Sequence, residues 1–215
     1  MPHAAWLSLE VAVVMAILYP VVGFGVAYAL SRPGFPFRRL LEAIVTLPLV
    51  FPPVAIGFFL LMLLGRGNVL GAALYRHVGF ELVFSVWGVL LAAFISGLPL
   101  VVKPILSAIE SGSEELIEAS YTLGRGKWAT VFRVLIPSIR RSIIAGVTLG
   151  IGRSLGEVGI TLMLGGNIVG KTETLSLAIY NSVLDGDFHR AARISFFLGG
   201  ASIAVFTVSR WMGEK

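Results

Sequence analysis

Residues 165–172 read GGNIVGKT and fit G-x-x-x-x-G-K-[ST]. At that spacing a glycine-rich turn can cradle phosphates, with the lysine reaching the outer phosphates and the hydroxyl holding magnesium. A second candidate is Arg153 with Glu157, opposite charges four residues apart in an otherwise apolar run. Such a pair either neutralises itself or leaves the cation to meet an anion. The third candidate is acidic: Glu110, Glu114 and Glu118 recur at i, i+4 and i+8, which predicts three carboxylates on one helix face leading up to Gly124. What these groups can do depends on the elements that hold them.

Those elements are membrane helices. Of 215 residues, 56% are hydrophobic and 13% charged, and the mean hydropathy is +0.89, outside the range of soluble domains. There is no cysteine, and the three histidines, His3, His77 and His189, are scattered, so no metal site and no cofactor is expected. A net charge of +5 would raise nucleic acid as a partner of a soluble protein; here the basic residues serve orientation instead, and no nucleic acid is expected.

Crossing the hydrocarbon core takes about 20 apolar residues. Five stretches qualify: Ser8–Leu30, Ala43–Leu64, Leu82–Val102, Ser142–Leu164 and Ile194–Met212. The first is read as a retained helix, since no Lys or Arg precedes Arg32 and no clean cleavage site follows it. Five spans divide the basic loop residues into two sets. One comprises Arg32, Arg38, Arg39, Lys103, Arg125, Lys127, Arg133, Arg140, Arg141, Arg210 and Lys215; the other comprises Arg66, Arg76, Lys171, Arg190 and Arg193. Eleven against five puts the first set in the cytoplasm and the N-terminus outside. The expected fold is an all-α polytopic membrane protein, a single transmembrane domain over 1–215 with a cytoplasmic loop at about 107–140.

This frame decides the phosphate pattern. A phosphate-cradling loop joins a buried strand to a helix in an α/β domain, whereas GGNIVGKT follows a predicted span, on the outer side, with no room for such a domain. The match is read as a glycine-rich turn that fits by coincidence. Pro48, Pro52 and Pro53 interrupt the second span, freeing backbone groups that neighbours or cavity water must satisfy. Arg153 and Glu157 fall about halfway through the fourth span, where an unpaired charge costs several kcal/mol. They are either a structural ion pair or a cation on an anion's path.

The stretch EASYTLGRGKWATVFRVLIP, residues 118–137, combines helix signals on either side of Gly124–Arg125–Gly126, and Pro137 is expected to mark a break. Glu118–Ala119–Ser120, three residues, Gly124, nine residues and Val134–Leu135–Ile136–Pro137 resembles the EAA loop of ATP-binding-cassette importer permeases, E-A-A-x3-G-x9-I-x-L-P. Ser120, Val134 and Ile136 depart from the pattern. The resemblance implies a hairpin that docks on a cytoplasmic ATPase, with Glu118 offering charge, Ala119 allowing close helix approach and Gly124 making the turn.

From Gly152, GRSLGEVGITLMLGGNIVGKTETLSLAIY is similar to the membrane segment and outer loop of permeases for molybdate and related tetrahedral oxyanions, as is TLPLVFPPVAIGFFLL at Thr46–Leu61. Val158, Ile160, Val169 and Ser176 depart from that pattern; the last two replace prolines and are expected to loosen the outer loop. The likeness implies a homodimer in membrane lipid, two copies of a cytoplasmic ATP-binding subunit, an external solute-binding protein and molybdate as cargo, with sulfate or tungstate as alternatives. A self-contained membrane NTPase would need the phosphate pattern to be real. A small channel would leave the hairpin without a purpose.

Overall fold

The computed structural model describes residues 2–112 and 114–214, and every regular element among them is helical. The first span is one 29-residue helix, Pro2–Leu30, made of α1 (Pro2–Leu18), a π-helical turn (Tyr19–Gly23) and α2 (Phe24–Leu30). The wide turn contains Pro20. Its ring has no amide to donate and crowds the preceding turn, and a widened spiral accommodates both. Ala4, Leu7, Val11, Met15 and Tyr19 recur every three or four residues and are buried. Trp6, Leu9, Val13 and Ile17 are exposed, an apolar outer face suited to lipid.

Among the described residues, three helices are long and apolar enough to cross a bilayer: Pro2–Leu30, Val86–Ser111 and Phe188–Ser209. They correspond to the first, third and fifth expected spans. The second and fourth are each assembled from two helices. The second consists of α3 (Arg38–Val50) and α4 (Pro53–Leu64). A proline pushes the residue before it out of the helical region, and Phe51 (ψ 144°) and Pro52 (ψ 126°) are extended. Pro48 stays inside α3.

After α5 (Val69–Val78) comes α6 (Val86–Gly112), which keeps Pro99 and Pro104 within one helix. Between α6 and the fourth span lie α7 (Glu114–Thr122), α8 (Lys127–Thr130), a π-helical turn (Val131–Leu135) and α9 (Ile136–Ser138). The expected break at Pro137 is displaced. Pro137 directly follows the π-helical turn, whose widened spiral accommodates its missing amide as at Pro20, and the chain turns at Ile139 (φ −102°, ψ 12°). There Lys127–Ser138 and Arg140–Leu155 meet at 70°.

The fourth span consists of α10 (Arg140–Leu155) and α11 (Gly159–Gly165), and the chain closes with α12 (Leu175–Leu184) and α13 (Phe188–Glu214). Lys215 and the side chain of Arg210, both counted in the orientation argument, lie outside the described residues. The core centres on α6 against α10. Glycine allows the approach: a Cβ on Gly97 would lie 2.1 Å from Tyr19 Oη and 2.5 Å from the Gly150 carbonyl oxygen. Tyr19 donates to the Ala93 carbonyl (2.8 Å) and lies 2.5 Å from Ser154 Oγ, which donates to the Gly150 carbonyl (2.9 Å). One polar node thus ties the first, third and fourth spans at a depth where stray polar groups are costly.

Candidate coupling hairpin and intramembrane ion pair

Gly124 adopts φ +74° and closes α7 with a Schellman pair of hydrogen bonds. Arg125 N donates to the Ser120 carbonyl (3.2 Å) and Gly124 N to the Tyr121 carbonyl (2.9 Å), the arrangement that needs a left-handed residue after the helix. The two arms are fastened by Ser120 Oγ and Thr130 Oγ1, 2.9 Å apart and buried. Ser120, read as a mild departure from the loop pattern, is therefore the residue that holds the hairpin shut.

Glu118 and Ala119 are exposed. Ala119 turns its small face outward. Leu123, Trp128 and Phe132 are also exposed, and the Trp128 and Phe132 rings stack at 6.2 Å. Of the three carboxylates expected on one helix face, Glu110 lies on α6 and Glu118 on α7, while residue 113 between these helices and the side chain of Glu114 lie outside the described residues. Glu110 meets Arg38, whose Nη2 donates to Oε1 at 2.9 Å.

Arg153 Nη1 and Glu157 Oε2 are 2.7 Å apart, at an angle short of a hydrogen bond. They do not share a helix face as expected, because α10 ends at Leu155 and the pair spans the break that follows. Glu157 is there as a cap: its Oε1 accepts from Ile160 N at 2.7 Å, in the first turn of α11. The Glu157 side chain is 1% exposed and that of Arg153 32%. Arg153 borders a cleft of about 460 Å³ that Leu100, Thr148, Leu149, Ser202 and Phe206 also line.

The breaks in the second and fourth spans pack on each other. A Cβ on Gly159 would lie 3.0 Å from Pro53 Cβ, and one on Gly57 2.8 Å from Met163 Cβ. Glycine is needed at both contacts, and α4 and α11 are locked as a unit.

In the GGNIVGKT turn, Gly166 and Gly170 have positive φ, as does Asn167 at 50°. Thr172, the residue that would hold magnesium in a phosphate-binding loop, is buried. Its hydroxyl donates to the Gly165 carbonyl (2.7 Å) and accepts from Ile168 N (2.9 Å). Asn181 joins the turn to α12, exchanging side-chain hydrogen bonds with Asn167 (2.6 and 3.1 Å) and donating to Glu173 Oε1 (2.8 Å). Ser176 does not loosen the loop as expected: its hydroxyl donates to the Leu155 carbonyl at 2.5 Å, satisfying an acceptor at the end of α10.

A family model described as "Binding-protein-dependent transport system inner membrane component" matches residues 21–213. The chain belongs to this family. The permease is 35% identical over 97% of its length to the molybdenum transport system permease protein ModB of Haemophilus influenzae, covering 92% of that protein. It is also 35% identical to the ModB protein of Escherichia coli K12, over 99% of this chain and 93% of the relative. The sulfate transport system permease protein CysW of Synechococcus elongatus is 31% identical over 96% of this chain, which covers 72% of it. Among solved structures, a bacterial alginate ABC transporter in complex with an alginate-bound periplasmic protein superposes with a TM-score of 0.74 at 17% identity, covering 98% of this chain and 77% of that one; this likeness establishes the fold. The permease is a multi-pass protein of the inner membrane.

Sequence reading missed the Tyr19–Ser154 node and the Ser120–Thr130 tie. The first had a signal in hydroxyls placed within apolar spans, since a polar group at that depth implies a partner. The second had none, because its two residues lie on either side of a turn whose closure no local pattern specifies.

Proposed function

We propose that this permease imports molybdate as a homodimer, with two copies of a cytoplasmic ATPase and an external solute-binding protein, tungstate or sulfate being the alternative cargo. The observation that carries the substrate is the 35% identity, nearly end to end, to molybdenum transport permeases; the 31% identity to a sulfate permease keeps sulfate as the weaker alternative. The chain is read as one transmembrane domain with its coupling loop at about 107–140, N-terminus outside and C-terminus in the cytoplasm.

The hairpin of Glu118, Ala119 and Gly124 docks on the ATPase. Its turn is rigidly closed while its outward surface stays free, with exposed Leu123, Trp128 and Phe132, which supports a surface built for a partner. ATP-driven closure of the ATPase pair moves the hairpin, and the spans rearrange to expose the path to one side and then the other. Arg153 serves that path. Its guanidinium is partly open in the middle of the membrane, and a cation there cannot face lipid, so this face of α10 is turned to water or to the second copy. The GGNIVGKT turn has no nucleotide role; its hydroxyl is already committed to two backbone partners.

The test is uptake by cells lacking this chain. High-affinity molybdate uptake is lost, tungstate competes for it in the complemented strain, and sulfate competes much less. Unchanged molybdate uptake in the deletion strain refutes the substrate. Reporter fusions placing both termini on one side refute the five-span topology.

A further inference from the structure

We infer that two ion pairs between α3 and α6 are positioning elements that carry hairpin movement to the broken second span, an inference resting on the transport reading above. In α3 only Val45 is buried, while Leu40, Ile44, Leu47 and Val50 are exposed, so packing alone fixes it weakly. What fastens it are Arg38 to Glu110 at 2.9 Å and Lys103 to Glu42 at 3.0 Å.

The charge order is crossed: α3 presents a cation and then an anion, and α6 presents the matching anion and cation. Sliding α3 by one turn, about 5.4 Å, brings Glu42 level with Glu110 or Arg38 toward Lys103, apposing like charges. The clasp therefore specifies register as well as contact. Its four side chains are about two-fifths exposed (39–45%), so it is breakable and remakeable in a way that a buried pair is not.

Both ends of this clasp lead to moving parts. Glu110 lies in the last described turn of α6, and α7 of the hairpin packs on α6. With 27 residues, α6 is about 40 Å long against about 30 Å of hydrocarbon, so its Glu110 end stands outside the core with the hairpin. At its other end α3 stops at Val50, and Phe51–Pro52 separates it from α4, which Gly57 and Gly159 lock to α11. Force on the hairpin reaches Glu110, passes to Arg38 and Glu42, and swings α3 about Pro52 while α4 stays with α11.

The experiment uses the assembled transporter, this chain with its ATPase and binding protein, in lipid vesicles. Arg38→Glu and Glu110→Arg each lower molybdate uptake per ATP hydrolysed by about fivefold or more, with assembly and thermal midpoint unchanged, and the double reversal restores the ratio. Glu42→Lys and Lys103→Glu behave the same way. Where a reversal fails to assemble, Arg38→Gln and Glu110→Gln take its place. An unchanged ratio in the single variants, or a swap that restores nothing, overturns the clasp.

A cargo-independent arm places spin labels at exposed Leu40 on α3 and exposed Val169 in the outer loop. ATP binding changes their separation in the wild type, fails to do so in Arg38→Glu and does so again in the swap; no change in the wild type overturns the inference. A wild type that shows the distance change but takes up no molybdate refutes the cargo and leaves the clasp standing.

Discussion

Replacing Arg153 by Gln tests whether the ion pair holds the fourth span together. Glu157 is 1% exposed. Without Arg153 its carboxylate keeps one described donor, Ile160 N at 2.7 Å. Breaking a buried pair from one side costs about 3–5 kcal/mol because the remaining charge is uncompensated. Since the Arg153 side chain is 32% exposed, water already screens part of the attraction, and the expected loss is near the lower end, about 3 kcal/mol.

Glu157→Gln keeps an oxygen for Ile160 N and leaves a cation that can reach the cleft, so its expected cost is smaller, about 1.5–2 kcal/mol. In Arg153→Gln with Glu157→Gln no charge remains. That variant is expected within about 1 kcal/mol of the wild type, which makes the two single changes strongly non-additive. The assay is thermal unfolding of the purified complex in lipid nanodiscs, with uptake measured in parallel. A double variant as unstable as the sum of the singles refutes the idea that the two charges stabilise each other. Recovered stability without recovered uptake is the result expected of a cation on the anion's path. If uptake also returns, Arg153 is structural and its pathway role is wrong.

Gly124→Val places a β-branched residue at φ +74°; no neighbour lies within 4 Å of the added Cβ, so the cost is backbone strain alone, about 1–3 kcal/mol. Capture of the ATPase falls in a pull-down, whereas Gly124→Asn, which tolerates the left-handed region, retains most of it. Gly97→Ala forces a Cβ to within 2.1 Å of Tyr19 Oη, an overpacking expected to cost about 1–3 kcal/mol and to appear as a lower thermal midpoint. Thr172→Val strips partners from the Gly165 carbonyl and Ile168 N and lowers stability by about 1–3 kcal/mol. Lys171→Ala, at an exposed position, leaves ATP hydrolysis by the complex intact; loss of hydrolysis with the complex still assembled would give the phosphate pattern a nucleotide role after all.

The legible parts of this molecule were those written in local composition. Apolar runs of span length identify Pro2–Leu30, Val86–Ser111 and Phe188–Ser209, since lipid demands continuous hydrophobicity and an internally satisfied backbone. Gly124 was legible as well, because a turn needing φ > 0 leaves glycine in the sequence. Where two local signals competed, the outcome depended on which backbone group was at stake. Pro137 and Pro52 look alike in sequence, yet one follows a π-helical turn that accommodates its missing amide and the other precedes a second proline that forces extension.

Spacing misled where a helix ended inside the interval being counted. Arg153 and Glu157 share a face only if α10 continues past Leu155. The interruption turns the carboxylate to another use: Glu157 caps a new helix while still meeting Arg153. The same departure from regularity supplies what transport requires. A span uninterrupted like α6 can only tilt as a rod, whereas a span broken at Phe51–Pro52 and packed on another broken at Gly156–Val158 has a joint about which, on the reading proposed above, α3 moves while α4 stays locked to α11. If the hairpin docks on an ATPase as proposed, its motion needs such a joint, or it would carry the GGNIVGKT turn with it and open both sides of the path together.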